Sequence, residues 1–359
     1  MMTLSRRRFL AATTLAACAP KSVGPHAASD PPRPPASEHG PPDLGDVPLA
    51  MKGPLPRRPL GKTGVELALL GLGGYHLGTL PTVDDAKRLV HEALDHGIEF
   101  FDCAWEYHGG KSEDWLGQAL VDRRDKAFVM TKVCTHGRGA DTAMKMLEDS
   151  LRRLRTDHLD LWQVHEVIYQ NEPELYAQRG SVTEAMERAK QQGKVRFVGF
   201  TGHKSPDMHL DMLAHGFPWD AVQMPLNAFD GTGFRSFEQR VLPELRNRGI
   251  APIGMKAMSG EGEAIKRGAL TPAEALGYTM SLPISILISG IDSLAVLHQN
   301  LNLAGGFEPF AERELARIRA KAAIYAGDGR FELFKTTAKY DGDVGRQQHG
   351  FPNHDQLGG

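Results

Sequence analysis

The chain has 359 residues, 24% charged and 41% hydrophobic, with a formal net charge of -2. That balance describes an ordinary soluble globular protein and leaves no basic surplus for nucleic acid. Three cysteines with no CxxC pair argue against a Cys-built structural zinc site or iron–sulfur cluster.

The first segment, MMTLSRRRFLAATTLAACAP, has a charged start followed by a short, weakly apolar run. No later stretch has transmembrane length, so this is read as a targeting segment, not a span. Ser5-Arg6-Arg7-Arg8-Phe9-Leu10 resembles a twin-arginine export signal, and Leu15-Ala16-Ala17-Cys18 resembles a lipobox. The resemblance implies handling by the twin-arginine machinery, a lipid anchor on Cys18, and an exported, periplasmic, membrane-tethered protein. Residues 1–18 are thus assigned to a signal peptide. Residues 19–56 are crowded with proline and have no hydrophobic period, which predicts an extended, unpacked linker.

From Leu60 onward, strand-length apolar runs alternate with amphipathic helical patterns. The runs fall at 67–74, 98–102, 127–132, 159–165, 195–201, 220–225, 250–256 and 284–290. Between the first two, Ala86, Leu89, Val90, Ala93 and Leu94 share one helical face, and Gly97 stands where a C-cap is expected. Near-continuous apolar strands alternating with helices predict a parallel sheet covered by helices. Eight units in roughly 250 residues match a closed barrel. A doubly wound sheet is the rival, but GLGGYHLG after the first strand lacks the dinucleotide-fingerprint spacing and no helix is expected to open directly on it. The predicted fold class is α/β, a (β/α)8 TIM barrel over 57–302 with an N-terminal β-hairpin, followed by a helical and irregular C-terminal tail over 303–359.

Catalytic groups of such barrels come from the C-terminal ends of strands. Asp102 ends the second run, with Tyr107 on the loop after it; Lys132 ends the third and His165 the fourth. One such residue is ordinarily structural, but four at equivalent ends point to a site. Cys103 and Cys134, each just past a strand, read as small buried thiols.

RPLGKTGVELALLGLGG, FFDCAWEYHGGKSEDWLG and SLRRLRTDHLDLWQVH together resemble the aldo-keto reductase family, and the likeness runs from Arg58 to about Asn302. It implies a catalytic tetrad of Asp102, Tyr107, Lys132 and His165. Tyr107 would be the general acid, because a phenol titrating near ~10 needs its anion stabilised. Lys132, paired with Asp102, would lower that pKa as a nearby cation, and His165 would orient the carbonyl oxygen. No metal is required for that chemistry.

The resemblance also implies a nicotinamide cofactor, NADP(H) first with NAD(H) close behind. Its expected contacts are Gly73 and Gly74 after the first strand, Asp102, Thr201, Gln223, Met255, Lys256, Gly290, Ser293 and Asn300. Thr201-Gly202-His203 replaces the family's Ser-Asn pair. Met255, Lys256 and Ala257 stand where an aromatic is usual, and Val296 where an arginine reads the 2′-phosphate. The implied activity is hydride transfer between cofactor and a small carbonyl or alcohol, by a monomer with no nucleic-acid partner. The alternative is a non-catalytic nicotinamide-binding sensor or docking protein on the same barrel. Phe331, Phe334 and Tyr340 in the tail either line a substrate pocket or pack the tail down.

Overall fold

The structure, a computed structural model, describes residues 44–233, 235–353 and 356. The export signal and lipobox lie outside the described residues. None of the described helices is long and apolar enough to cross a membrane.

Eight parallel strands close into a barrel: β3 (Leu70–Gly73), β4 (Phe100–Asp102), β5 (Phe128–Val133), β6 (Leu159–Val164), β7 (Val195–Thr201), β8 (Ala221–Pro225), β9 (Ala251–Met255) and β10 (Ile286–Gly290). Each neighbours the next in sequence, and β10 returns to pair with β3, so no strand edge is left open. The predicted runs match these strands to within a few residues, except that 67–74 divides. Glu66–Ala68 forms β2, which pairs antiparallel with β1 (Arg57–Pro59) as a hairpin, and only Leu70 onward joins the barrel. The hairpin contributes Leu60 and Leu67 to the apolar filling of the barrel, beside Phe100, Phe128, Leu161 and Ile253. Lys62 N donates to the Gly249 carbonyl at 2.9 Å, so the hairpin seals the N-terminal end and leaves the other end for loops.

The helix over Val83–Asp95 buries Ala86, Leu89, Val90 and Ala93. Leu94 is only partly buried. Thr82 caps the helix start by accepting from Asp85 N, and Gly97 follows its end at φ +91°, a conformation glycine adopts without strain. One turn of helix, Gly74–Leu77, does open directly on β3, contrary to the sequence reading. Gly74 permits it: a Cβ there would come within 2.2 Å of the Asp102 carbonyl oxygen.

The expectation of an unpacked stalk to residue 56 also needs correcting. His298 Nδ1 bonds the Val47 carbonyl at 2.8 Å, Ala50 N donates to Asn302 Oδ1 at 2.6 Å, and Gly306 N donates to the Pro54 carbonyl at 2.9 Å. Proline removes donors, yet the carbonyls of a proline-rich segment stay free to accept, and the helix Leu294–Ala304, with Gly306 just past it, supplies the partners.

The tail carries the helix Glu312–Ala326, which packs against the short helix Ala228–Thr232 after β8. Phe331 packs on Phe229 and Tyr325, with centroids 5.1 and 5.4 Å apart. Lys335, 3% exposed at its side chain, bonds Asp230 at 2.6 Å and Glu332 at 2.9 Å. Burial, foremost, pushes the Glu332 carboxyl up to about 7.

Candidate active site

The strand register brings the four residues to one mouth. Asp102 is the last residue of β4, Lys132 lies next to the end of β5, and His165 follows β6 directly. Lys132 Nζ bonds Asp102 Oδ1, donates to the Cys103 carbonyl at 2.7 Å, and lies 3.3 Å from the Tyr107 hydroxyl. Both charges are almost fully buried, at 1% and 4% exposure. Such a pair is held only where its remaining hydrogen-bonding capacity is met. Gln223 meets it from β8: its Nε2 donates to Asp102 Oδ2 at 2.7 Å.

Tyr107 stands edge-on to His165 at 5.6 Å and to Tyr75 at 5.3 Å. His165 Nδ1 is bonded to Glu106, which turns Nε2 away from that carboxylate. Glu106 was not singled out in the sequence. No local pattern marks it, because its partner His165 lies 59 residues further along the chain.

The Tyr107 pKa differs from expectation. Burial, foremost, and then the nearby carboxylates Asp102, Glu106 and Glu166 hold it well above the ordinary phenol value. The Lys132 ammonium, 3.3 Å from the hydroxyl, works in the opposite direction, but burial and the carboxylates prevail. The resting phenol keeps its proton.

The remaining predicted contacts surround this group. Gly73 pairs with Asp102 on one side and Gly290 on the other. Thr201 ends β7 and is 1% exposed. Gln223, given to the Asp102 carboxylate at its nitrogen, has Oε1 buried without a hydrogen-bond partner. Asn300 Nδ2 donates to Ser289 Oγ at 2.9 Å, and its Oδ1 is likewise buried and unpartnered. Ser293 caps the helix Leu294–Ala304 by accepting from Val296 N. A Cβ on Gly290 would strike the His76 ring at 2.4 Å, and Met255 packs on the apolar filling of the barrel.

Lys256 holds φ +58°, and its Nζ stands 5.4 Å from the Phe334 ring centre and 5.2 Å from that of Tyr340. Burial brings its pKa down to about 8. His136 (φ 40°) and Glu166 (φ 53°), three and two residues past β5 and β6, are left-handed as well. Non-glycine residues in that region cost free energy and concentrate at functional sites.

The tail also reaches the mouth. Phe334 lies 6.2 Å from the His203 ring, Lys204 Nζ bonds Asp341 at 2.6 Å, and Gly342 N donates to Glu166 Oε2 at 3.2 Å. His203, 5% exposed, is brought by burial to a pKa of about 3 and is neutral. Phe331 therefore packs the tail down, whereas Phe334 and Tyr340 sit over Lys256. No sequence pattern marked the second role, because it depends on a segment returning across the whole barrel.

Comparison with known proteins follows the same geometry. Residues 69–271 match the model of the Aldo/keto reductase family. The chain is 34% identical to L-galactose dehydrogenase of Arabidopsis thaliana over 223 residues, 57% of this chain and 67% of that one. It is 33% identical to 6-dehydroglucose reductase of Novosphingobium aromaticivorans over 173 residues, 44% of this chain and 53% of that one. Among solved structures, the aldo-keto reductase AKR11C1 from Bacillus halodurans in its holo form aligns with a TM-score of 0.63 at 22% identity, covering 74% of this chain and 96% of that one. That last likeness is one of fold.

Proposed function

The chain belongs to the aldo/keto reductase family, and on that premise we propose that it transfers hydride between a nicotinamide cofactor and a carbonyl or alcohol substrate, with Tyr107 as general acid and base. The observation that carries the reading is the buried contact of Lys132 with both Asp102 and the Tyr107 hydroxyl. The residues present fit the cofactor: the unpartnered amide oxygens of Gln223 and Asn300 and the hydroxyl of Thr201 are the kind of groups that would hold it. When bound, the cofactor supplies or accepts the hydride.

Tyr107 holds a proton at its phenol oxygen and passes it to the substrate oxygen during reduction. Lys132, 3.3 Å away, stabilises the negative charge that develops on the phenol at that moment. Asp102, held by Lys132 and Gln223, keeps the ammonium in place. His165, fixed at Nδ1 by Glu106, presents its other nitrogen to orient the substrate oxygen.

Glu106 Oε2 is buried near the mouth without a hydrogen-bond partner, and His203 Nε2 has only Asp341 Oδ1, at 3.9 Å. Such groups favour a substrate with hydroxyls beside its carbonyl, in keeping with the sugars named for the two curated relatives. NADP(H) is placed ahead of NAD(H) on family precedent, although Val296 carries no charge for a 2′-phosphate. Export and lipid anchoring at Cys18 are proposed on residues 5–18 alone. The test of the activity is single-turnover oxidation of bound reduced cofactor by a panel of hydroxyaldehydes, with Tyr107→Phe as control. Equal rates in the two proteins would overturn the reading.

A further inference from the structure

A second cluster lies beside the tetrad, and the hydride chemistry makes no use of it. We propose that Cys134, His136 and Glu166 form a binding site for a divalent transition metal of the zinc type. Cys134 and His136 come from the loop leaving β5, and Glu166 from the loop leaving β6. Their donor atoms lie within 4.8 Å of one another, and the residues are 0%, 3% and 9% exposed.

Glu172 lies behind His136 in this cluster. Its carboxylate accepts from Ile168 N at 2.8 Å, Tyr169 N at 2.9 Å, the Tyr176 hydroxyl at 2.8 Å and His136 Nδ1 at 2.6 Å. That acid is fully engaged, so in the neutral imidazole the proton sits on His136 Nδ1 and the lone pair on Nε2. A carboxylate orienting a histidine from behind is the arrangement that fixes metal-binding imidazoles.

His136 Nε2 is buried and has no hydrogen-bond partner. Glu166 Oε2, which accepts from Gly342 N at 3.2 Å, stands 3.9 Å away. That is too long for a hydrogen bond. It is close to the spacing of roughly 3.3–3.5 Å that tetrahedral zinc imposes on its nitrogen and oxygen ligands. The Cys134 thiol supplies the third donor, losing its proton to solvent on binding, and a mixed S, N, O set suits zinc. Three protein ligands leave a fourth position for water or a substrate oxygen. His349 groups with His136 and Glu172 but not with Glu166 or Cys134, so it is not a ligand in this set.

The test uses the full chain in a Cys18→Ser background, stripped with chelator and titrated with Co²⁺. One equivalent should bind, with a thiolate-to-cobalt charge-transfer band in the near ultraviolet and the visible bands of a tetrahedral ion, and Zn²⁺ should displace it. Cys134→Ser should lose the near-ultraviolet band, and His136→Gln should lose tight binding. Glu172→Gln should weaken affinity on the order of 10–100-fold. His165→Ala should retain the site, which separates it from the neighbouring Glu106, His165 and Glu166 group. Absence of the thiolate band in the parent protein overturns the proposal whether or not the variants fold. So does binding unchanged by Cys134→Ser and His136→Gln. Neither result bears on hydride transfer, which is read separately through Tyr107.

Discussion

Lys132 Nζ lies 3.3 Å from the Tyr107 hydroxyl while bonding Asp102 and the Cys103 carbonyl. One cation thus contacts both the Asp102 carboxylate and the Tyr107 phenol. Tyr107→Phe keeps the ring and its contacts to His165 and Tyr75 but removes the proton donor. Carbonyl reduction should fall on the order of a hundred-fold or more, with cofactor affinity nearly unchanged. Steady-state turnover and fluorescence titration of cofactor check the two halves.

The phenol itself should resist titration. Burial and the surrounding carboxylates raise its pKa, so the folded state binds this proton more tightly than the unfolded chain. Its contribution to stability is complete below the ordinary value of about 10 and is lost as pH rises beyond it towards the folded pKa. The ultraviolet difference titration of wild type against Tyr107→Phe should show no tyrosinate near pH 10. A normal tyrosine step in that difference would contradict the burial.

Lys132→Met should do more than stop turnover, because it leaves Asp102 buried without its cation. A loss of about 3–5 kcal/mol is expected for a broken buried pair. Adding Asp102→Asn should restore much of that stability without restoring activity. Urea unfolding of the four members of the cycle measures it, and additive losses would show that the two residues are not coupled.

Lys256 should make cofactor binding depend on pH. Its pKa is down to about 8 through burial, so it is charged at neutral pH and uncharged above. The folded state pays for that charge below pH 8, and the penalty is relieved as pH rises from 8 towards the ordinary 10.5. Cofactor affinity should fall as pH rises through 8 in the wild type and stay flat in Lys256→Met. Titrations at several pH values decide it.

The tail lock is testable at Lys335. Lys335→Met leaves Asp230 and Glu332 buried together without their shared cation. The expected loss is about 3–5 kcal/mol, moderated because Glu332 takes up a proton readily. Chemical denaturation checks the size. An unchanged midpoint would mean the tail is held by its aromatics alone.

The alternating runs made the barrel legible, because parallel strands buried on both faces cannot avoid looking apolar throughout. The tetrad was legible for a related reason: β4, β5 and β6 are consecutive in sequence and adjacent in the sheet. Residues at the same end of successive strands therefore become neighbours in space. Glu106 escaped notice because nothing local distinguishes an acid that will bond His165, 59 residues on, from one facing solvent.

Sequence alone determined the period of the elements, the strand ends and the residue types placed there, since these depend on backbone geometry and side-chain chemistry within one or two turns. The tertiary structure decided the rest. It gave Gln223 to Asp102 across 121 residues and brought Lys204 to the Thr337 carbonyl across 133. It also kept Tyr107 protonated instead of activated at rest. A pKa and a hydrogen-bond partner depend on which charges and dipoles surround a buried atom, and those come from segments that only closure of the barrel brings together.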